Sequence, residues 1–389
     1  MIHRLRTIFL RLCNNHKMIT SRNFELPRSL QNILIIQLGD IGDVVWSIPT
    51  FWAVKNAYPN AKLSLLVREG FGSLLTADPA IAHVFEVKKY QGTFGSRLGA
   101  QLSFLKSVRN AGFDLVFDLR TDERGAFMAR LTGAPFRASL ICREGPFYRN
   151  RLFSHLIYPA NENIRIRLGA AEQSLRIVRG FGIPTGDTVP KLFVEPETLG
   201  RIRNLIENHG LYSQAQGDAP NGFVTLNPFS RWSYKEWPLD NWVAIGAWLW
   251  SEYRLPTVIV GSALERERAE ALVKSGNGVV KMFNMAGETN LAELAALLSL
   301  SRLHVGVDSA APHIAAAVGT PTITIYGPSD WRDWAPVGEH HQVVTMDMDC
   351  SPCHQKGCDG KGRSRCLENM SVGQVQGAIM GAVSPHQSA

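Results

Sequence analysis

The residues best placed to do chemistry in this 389-residue chain follow short apolar runs, where a sharp turn carries a charged or hydroxyl side chain. The fullest example is Leu303 to Pro328, L-H-V-G-V-D-S-A-A-P-H-I-A-A-A-V-G-T-P-T-I-T-I-Y-G-P. It reads as a buried strand, a turn at Asp308-Ser309, a short helix stopped by Gly319, and a second buried strand from Thr322 to Tyr326. Asp308 or Ser309 is suited to cap the helix, and Pro312 is tolerated in a first turn whose amides lack intrahelical partners. Free amides backed by a helix dipole attract anions. Lys235, in the loop after the run Phe223 to Asn227, is a compact charge for a phosphate. Glu265, just past Thr257 to Gly261, is placed to take ribose hydroxyls. Each has a plainer role as helix cap, first-turn acid or solvated cation. Three such groups on three strand ends favour a nucleotide-diphosphate site. Asp43 ends the turn Gln37-Leu-Gly-Asp-Ile-Gly-Asp43, where Gly39 and Gly42 admit close backbone approach. It reads either as a helix cap or as a base.

The elements that position these groups alternate. Asn32 to Ile36 is a wholly apolar run, as in a buried parallel strand. A helix is expected from about Val44 to Ala57, with Pro49 near its first turn, then a strand from Ala61 to Val67. There follow strand Val84 to Val87, helix Arg97 to Ala111, strand Leu115 to Asp118 and helix Glu123 to Leu131. A basic loop through Arg143, Arg149 and Arg151 leads to a helix from Ile164 to Phe181. After the connector Pro184 to Pro196, a helix (Glu197 to His209) and a polar loop (Ser213 to Asn221), the pattern restarts with helices at Asp240 to Tyr253 and Ala292 to Ser299. Such alternation predicts doubly wound parallel sheets. The fold class is therefore α/β, with two facing Rossmann-like domains and the active site in the cleft between them. The divisions expected are a basic extension over 1–30, an acceptor domain over 31–190 and a donor domain over 191–389.

Length alone favours two domains. No run of eighteen apolar residues is present, which excludes a spanning helix of that kind. The net charge of +7 is uneven. Residues 1–30 hold six Arg/Lys against Glu25, and residues 90–180 hold fourteen against seven acids. This surplus suits an anionic partner, or a solvated Arg-rich face. Ile8, Phe9, Leu10 and Leu12 among cations suggest a basic amphipathic anchor, without the apolar core and cleavage site of a secretory signal. Met18 is an alternative start. We expect a dispensable extension here.

Four motifs stand in order: I-L-I-I-Q-L-G-D-I-G-D-V-V-W-S-I-P at 33–49, S-R-W-S-Y-K-E-W-P at 230–238, G-V-D-S-A-A-P-H-I-A-A-A-V-G-T-P at 306–321 and Y-G-P-S-D at 326–330. They resemble the lipopolysaccharide heptosyltransferases, glycosyltransferase family nine, across roughly residues 32–380. S-R-W-x-x-K-x-W and D-S-x-x-x-H are most similar to the branch that adds a side heptose to the inner core. The resemblance implies a GT-B fold and inverting, metal-independent transfer from ADP-heptose, with no cofactor. By motif position Asp43 matches the catalytic base and Lys235 the donor-phosphate lysine. Asp308 matches the aspartate of the sugar-diphosphate turn, with the Ser309 and Ala310 amides on phosphate. Glu265 matches the ribose-binding acid, although Ala263-Leu264 stand where some members place it. His313 reads as phosphate-facing or packed under the turn, with packing favoured. The implied partners are ADP-heptose, the lipopolysaccharide core and the anionic inner-membrane surface. The implied location is cytoplasmic, peripheral to the inner face of that membrane.

Cys350, Cys353, Cys358 and Cys366 have spacing compatible with structural zinc, and disulfides are not expected in a cytoplasmic enzyme. A transferase using another nucleotide sugar or glycan acceptor is the nearest alternative. A nicotinamide oxidoreductase is disfavoured because L-G-D-I-G-D lacks the third glycine of the dinucleotide fingerprint. A nucleic-acid binder is disfavoured because no aromatic stacking platform is evident.

Overall fold

A computed structural model describes residues 19–20, 26–27, 29–88, 93–146, 148–158, 169–211, 222–276, 278 and 280–383. The chain divides into two units, Met1–Ile166 with Ala171–Thr188, and Arg167–Ala170 with Val189–Ala389. Each is built on its own parallel sheet.

The first sheet comprises β1 (Ile19–Thr20), β2 (Asn32–Ile36), β3 (Lys62–Arg68), β4 (His83–Val87), β5 (Leu115–Asp118), β6 (Phe136–Leu140) and β7 (His155–Ile157). Their order is β1-β7-β6-β5-β2-β3-β4. The winding leaves β2 through β3 and β4, then returns to β5 on the other side of β2. Helices after β2 and β5 diverge from such a reversal, which opens a crevice at the carboxyl ends of those two strands. Buried apolar side chains cover both central strands, as a sheet masked on both faces requires.

The second sheet comprises β8 (Val224–Asn227), β9 (Thr257–Ile259), β10 (Met282–Asn284), β11 (Leu303–Val307), β12 (Thr322–Ile325) and β13 (His341–Val344). Its order, β10-β9-β8-β11-β12-β13, places the same reversal between β8 and β11. Its core includes Trp237 and Trp242, stacked edge to face at 5.4 Å. The Trp237 indole N–H donates to the Met370 carbonyl at 3.0 Å. Leu367, Val375, Ile379 and Val383 complete that core, so the segment beyond the cysteines belongs to the domain rather than to a loose tail.

Several elements differ from the sequence reading. The helix expected over 44–57 is two, Ile41–Trp46 and Ile48–Ala57, joined at Ser47. Pro49 fills the first turn of the second, where its missing N–H is tolerated. The helix expected from Ile164 spans Glu172–Gly180; residues 159–168 lie outside the described set, as do 1–18 and the loop 212–221. Within the span read as an extension, Ile19–Thr20 pairs in parallel with His155–Leu156. β6, β7, β10 and β13 were not anticipated, nor were the helices Arg266–Ser275 and Val372–Val383. β6 hides because Arg137 and Ser139 interrupt its apolar run. Both are buried and bonded, Arg137 Nε to the Leu152 carbonyl at 2.9 Å and Ser139 Oγ to the Asp118 carbonyl at 3.0 Å.

Burial also holds imidazoles neutral. It pushes His304 down to about 3 and His313 and His341 to about 4, and lowers His155. Burial raises the Asp118 carboxyl, an effect the neighbouring Arg149 opposes, and raises Asp78. Below about pH 6.5 an unfolded imidazole takes up a proton that the fold refuses, so stability falls with acidification; the raised carboxyls act oppositely. Four imidazoles outweigh two carboxyls, and melting temperature should drop between pH 7 and 5. His304→Asn retains a side-chain partner for Thr225, now bonded to Nδ1 at 3.0 Å, while removing the titrating ring. The pH slope of its unfolding free energy should flatten by about one proton. A slope identical to the parent would contradict the assignment.

Candidate active site

The turn after β2 is organised by buried side chains. Gln37 accepts the Gly39 N–H at 3.1 Å and donates to Ser47 Oγ at 2.7 Å. This folds the chain so tightly that a Cβ on Gly39 would lie 2.1 Å from Asp43 Oδ2. Only glycine fits. Asp43 is the third residue of helix Ile41–Trp46 and closes its capping box, with Oδ2 accepting the Asp40 N–H at 2.7 Å. The same oxygen takes Arg120 Nη1 at 2.6 Å, with the two side chains 24% and 36% exposed. Both bonds fall on Oδ2. The carboxylate is thus anchored by one oxygen at the mouth of the β2–β5 reversal, and its plane is fixed. Capping and base, treated as alternatives from sequence, are compatible in this geometry.

In the second unit the loops after β8 and β11 meet. Lys235 Nζ reaches Asp308 Oδ2 at 2.6 Å, at side-chain exposures of 21% and 11%. Ser309 Oγ donates to Asn227 Oδ1 at 2.6 Å, and Asn227 Nδ2 donates to the Val260 carbonyl at 3.1 Å. The capping expected of Asp308 or Ser309 is therefore corrected. The helix is Ala311–Ala317, its N-cap position is Ala310, and no side chain caps it. Asp308 is committed to the lysine and Ser309 to the neighbouring strand end. His313 lies buried in that helix, within electrostatic reach of Asp308 and Lys235, where burial keeps it neutral at ordinary pH.

The Lys235 loop is braced from the helix Arg266–Ser275, which follows β9. Glu236 accepts the Ser230 N–H at 3.0 Å and both arms of Arg268, at 3.1 and 2.6 Å, while Arg268 lies 4.8 Å over the Phe229 ring. Glu265 makes its contacts within its own turn, Oε2 accepting the Ser262 N–H at 2.6 Å and hydroxyl at 2.9 Å. Like Asp43, it closes a capping box. Arg120, Asn227, Glu236 and Arg268 escaped the sequence reading. The signal available for Arg120 was its place directly after β5, equivalent to that of Asp43 after β2.

Cys366 is buried, Cys353 and Cys358 half-buried and Cys350 exposed. Burial, then the nearby Cys353 and Cys358, raises the Cys366 thiol. Among the described residues no three His, Cys, Asp or Glu side chains are gathered so as to hold a metal ion, and no helix is long and apolar enough to cross a membrane.

Comparison with known proteins agrees with this architecture. The solved structure of a glycosyltransferase family 9 protein from Veillonella parvula superposes with a TM-score of 0.75 at 20% identity, covering 93% of this chain and 99% of that one. Escherichia coli ADP-heptose lipopolysaccharide heptosyltransferase II gives 0.71 at 18%, covering 90% and 98%. These likenesses show the GT-B fold of two Rossmann-like domains. Lipopolysaccharide heptosyltransferase 3 of Escherichia coli is 24% identical over 320 residues, 79% of this chain and 89% of that protein. The family model for glycosyltransferase family 9 (heptosyltransferase) matches residues 101–363, more than half of the sequence. On that match the chain belongs to glycosyltransferase family 9 and is a glycosyltransferase.

Proposed function

We propose that this transferase moves heptose from ADP-heptose to a hydroxyl of the lipopolysaccharide inner core, with inversion and without a metal. The observation that carries the reading is the Asp43 carboxylate, fixed through Oδ2 while Oδ1 faces no bonded partner among the described residues. In the reaction, Asp43 takes the proton of the acceptor hydroxyl as its oxygen attacks the anomeric carbon. The bond from that carbon to the diphosphate oxygen breaks, and ADP leaves with the electron pair. Lys235 and the Ser309 and Ala310 amides stabilise the charge that gathers on the diphosphate, a task that cations and oriented amides perform in water-excluded sites. Asp308 keeps the ammonium in place rather than capping a helix. Glu265 has Oε1 left for the ribose once Oε2 has closed its turn. The first unit supplies the base and meets the acceptor; the second binds the donor. The cationic surplus of the amino-terminal half would meet the anionic cytoplasmic face of the inner membrane.

Asp43→Asn isolates the base. Asparagine still accepts the Asp40 N–H, and the lost half-buried ion pair is worth about 1 kcal/mol after solvent screening, so the variant should fold. Its turnover with ADP-heptose and truncated core should fall about 10²-fold or more, with ADP affinity little changed. Near-native turnover in the folded protein would remove Asp43 from the chemistry.

Lys235→Ala tests the donor side. Turnover should fall by about 10²- to 10³-fold and ADP should bind more weakly, as judged by calorimetric titration. Unchanged ADP affinity together with unchanged turnover would take Lys235 out of the site.

The membrane reading predicts that co-sedimentation with anionic vesicles declines steeply as salt rises. Binding that ignores salt, or no binding at all, would leave the surplus as solvated surface.

A further inference from the structure

Behind Asp43 stands a buried pair of charges for which the reaction as described has no use. Asp118 ends β5 and Arg149 reaches it from the basic loop, Nη2 to Oδ2 at 3.1 Å, with side chains 0% and 1% exposed. Isolating an ion pair from water is expensive, and apolar replacements of such pairs are often neutral or stabilising. Its use is therefore better sought in what it holds. Asp118 Oδ1 accepts the Arg120 N–H at 3.2 Å, and Arg149 Nη2 donates to the Arg120 carbonyl at 2.9 Å. Both polar groups of residue 120 are thus gripped by the same buried pair.

That pair is itself tightly fixed. Arg149 Nη1 donates to the Leu140 carbonyl at 2.6 Å, Nη2 donates to Ser139 Oγ at 2.9 Å, and the guanidinium lies 4.5 Å over the Phe153 ring. A Cβ on Gly125 would lie 2.2 Å from Asp118 Oδ1, so the next helix closes directly over the carboxylate. A rigid backbone leaves only the Arg120 side chain to choose its direction, and it runs to Asp43 Oδ2, with Asp122 Oδ2 beside its Nε at 3.4 Å.

We propose that Arg120 is a positioning residue for the base, mounted on the Asp118–Arg149 pair. It claims Oδ2, fixes the carboxylate plane across the β2–β5 reversal and leaves Oδ1 as the oxygen that receives the proton. The inference rests on Asp43 being the base. The purely structural alternative is that Arg120 only ties two loops together.

The test compares Arg120→Met, Arg120→Lys, Asp43→Asn and the double variant Arg120→Met/Asp43→Asn in the full chain, with ADP-heptose and truncated lipopolysaccharide core. A misplaced base should lower kcat about 10- to 100-fold in Arg120→Met while the donor KM stays within about twofold. Arg120→Lys, which keeps the charge but offers one donor group, should fall between Arg120→Met and the parent. In the double variant the Arg120→Met loss should vanish, because nothing remains to position. The proposal is overturned if folded Arg120→Met keeps kcat within about threefold, or if its loss multiplies in full with that of Asp43→Asn. Should Arg120→Met not fold, Arg120→Lys enters the same cycle under the same criteria. Near-parent activity in Asp43→Asn would instead bring down the base reading itself, whatever Arg120 does.

Discussion

Each sheet reverses its winding between two neighbouring strands, and at each reversal an ion pair joins the loops on either side. Asp43 and Arg120 bridge β2 and β5; Lys235 and Asp308 bridge β8 and β11. A reversal sends successive helices to opposite faces, so no helix covers the strand ends there. The crevice left behind must be closed by side chains, and charged groups held at 2.6 Å do so without filling it. The remaining site geometry follows from these two bridges. Gly39 is required because the first loop passes so close to the carboxylate, and Asn227 anchors the Ser309 hydroxyl because the second loop turns so sharply.

In the proposed mechanism, structural and chemical duties fall on the same carboxylates but on different oxygens. Asp43 and Glu265 each close a capping box through one carboxylate oxygen. Such a carboxylate loses little freedom on meeting a substrate, because its plane is already set by backbone N–H donors. It also explains why residue type and spacing alone could not separate a cap from a base. The pattern of an acid three residues into a helix is identical in both roles.

The fold was legible wherever a strand was short, apolar and uninterrupted. β2, β5 and β11 stand out in the sequence because burial on both faces removes polar residues from them. β6 was illegible for the converse reason: Arg137 and Ser139 are buried with specific partners, among them the carbonyls of Leu152 and Asp118, that local pattern does not reveal. The break at Ser47 was half visible, since Pro49 announced the start of a helix but nothing local marked the end of the previous one. For the candidate site, strand-end charges such as Asp43, Lys235 and Asp308 could be named from position, and the structure pairs each with another charged side chain. Arg120 and Arg268 were harder to single out, since an arginine shows its partner only when the chain is folded. The turn after β11 was legible as a turn, and the fate of its side chains was not. Asp308 and Ser309 leave the helix start bare because the lysine and the neighbouring strand end claim them first.

In the proposed mechanism, one carboxylate acting as base, with diphosphate departing from the opposite face of the sugar, permits a single displacement at the anomeric carbon. A retaining path would need either a carboxylate acting as nucleophile or an attack from the leaving-group side. The most direct check is therefore the configuration of the new linkage. Transfer from anomerically pure ADP-heptose to a truncated core oligosaccharide, followed by NMR of the isolated product, should show the anomeric centre inverted relative to the donor. A product of retained configuration would contradict the account, because Asp43 acting only as a base cannot produce it.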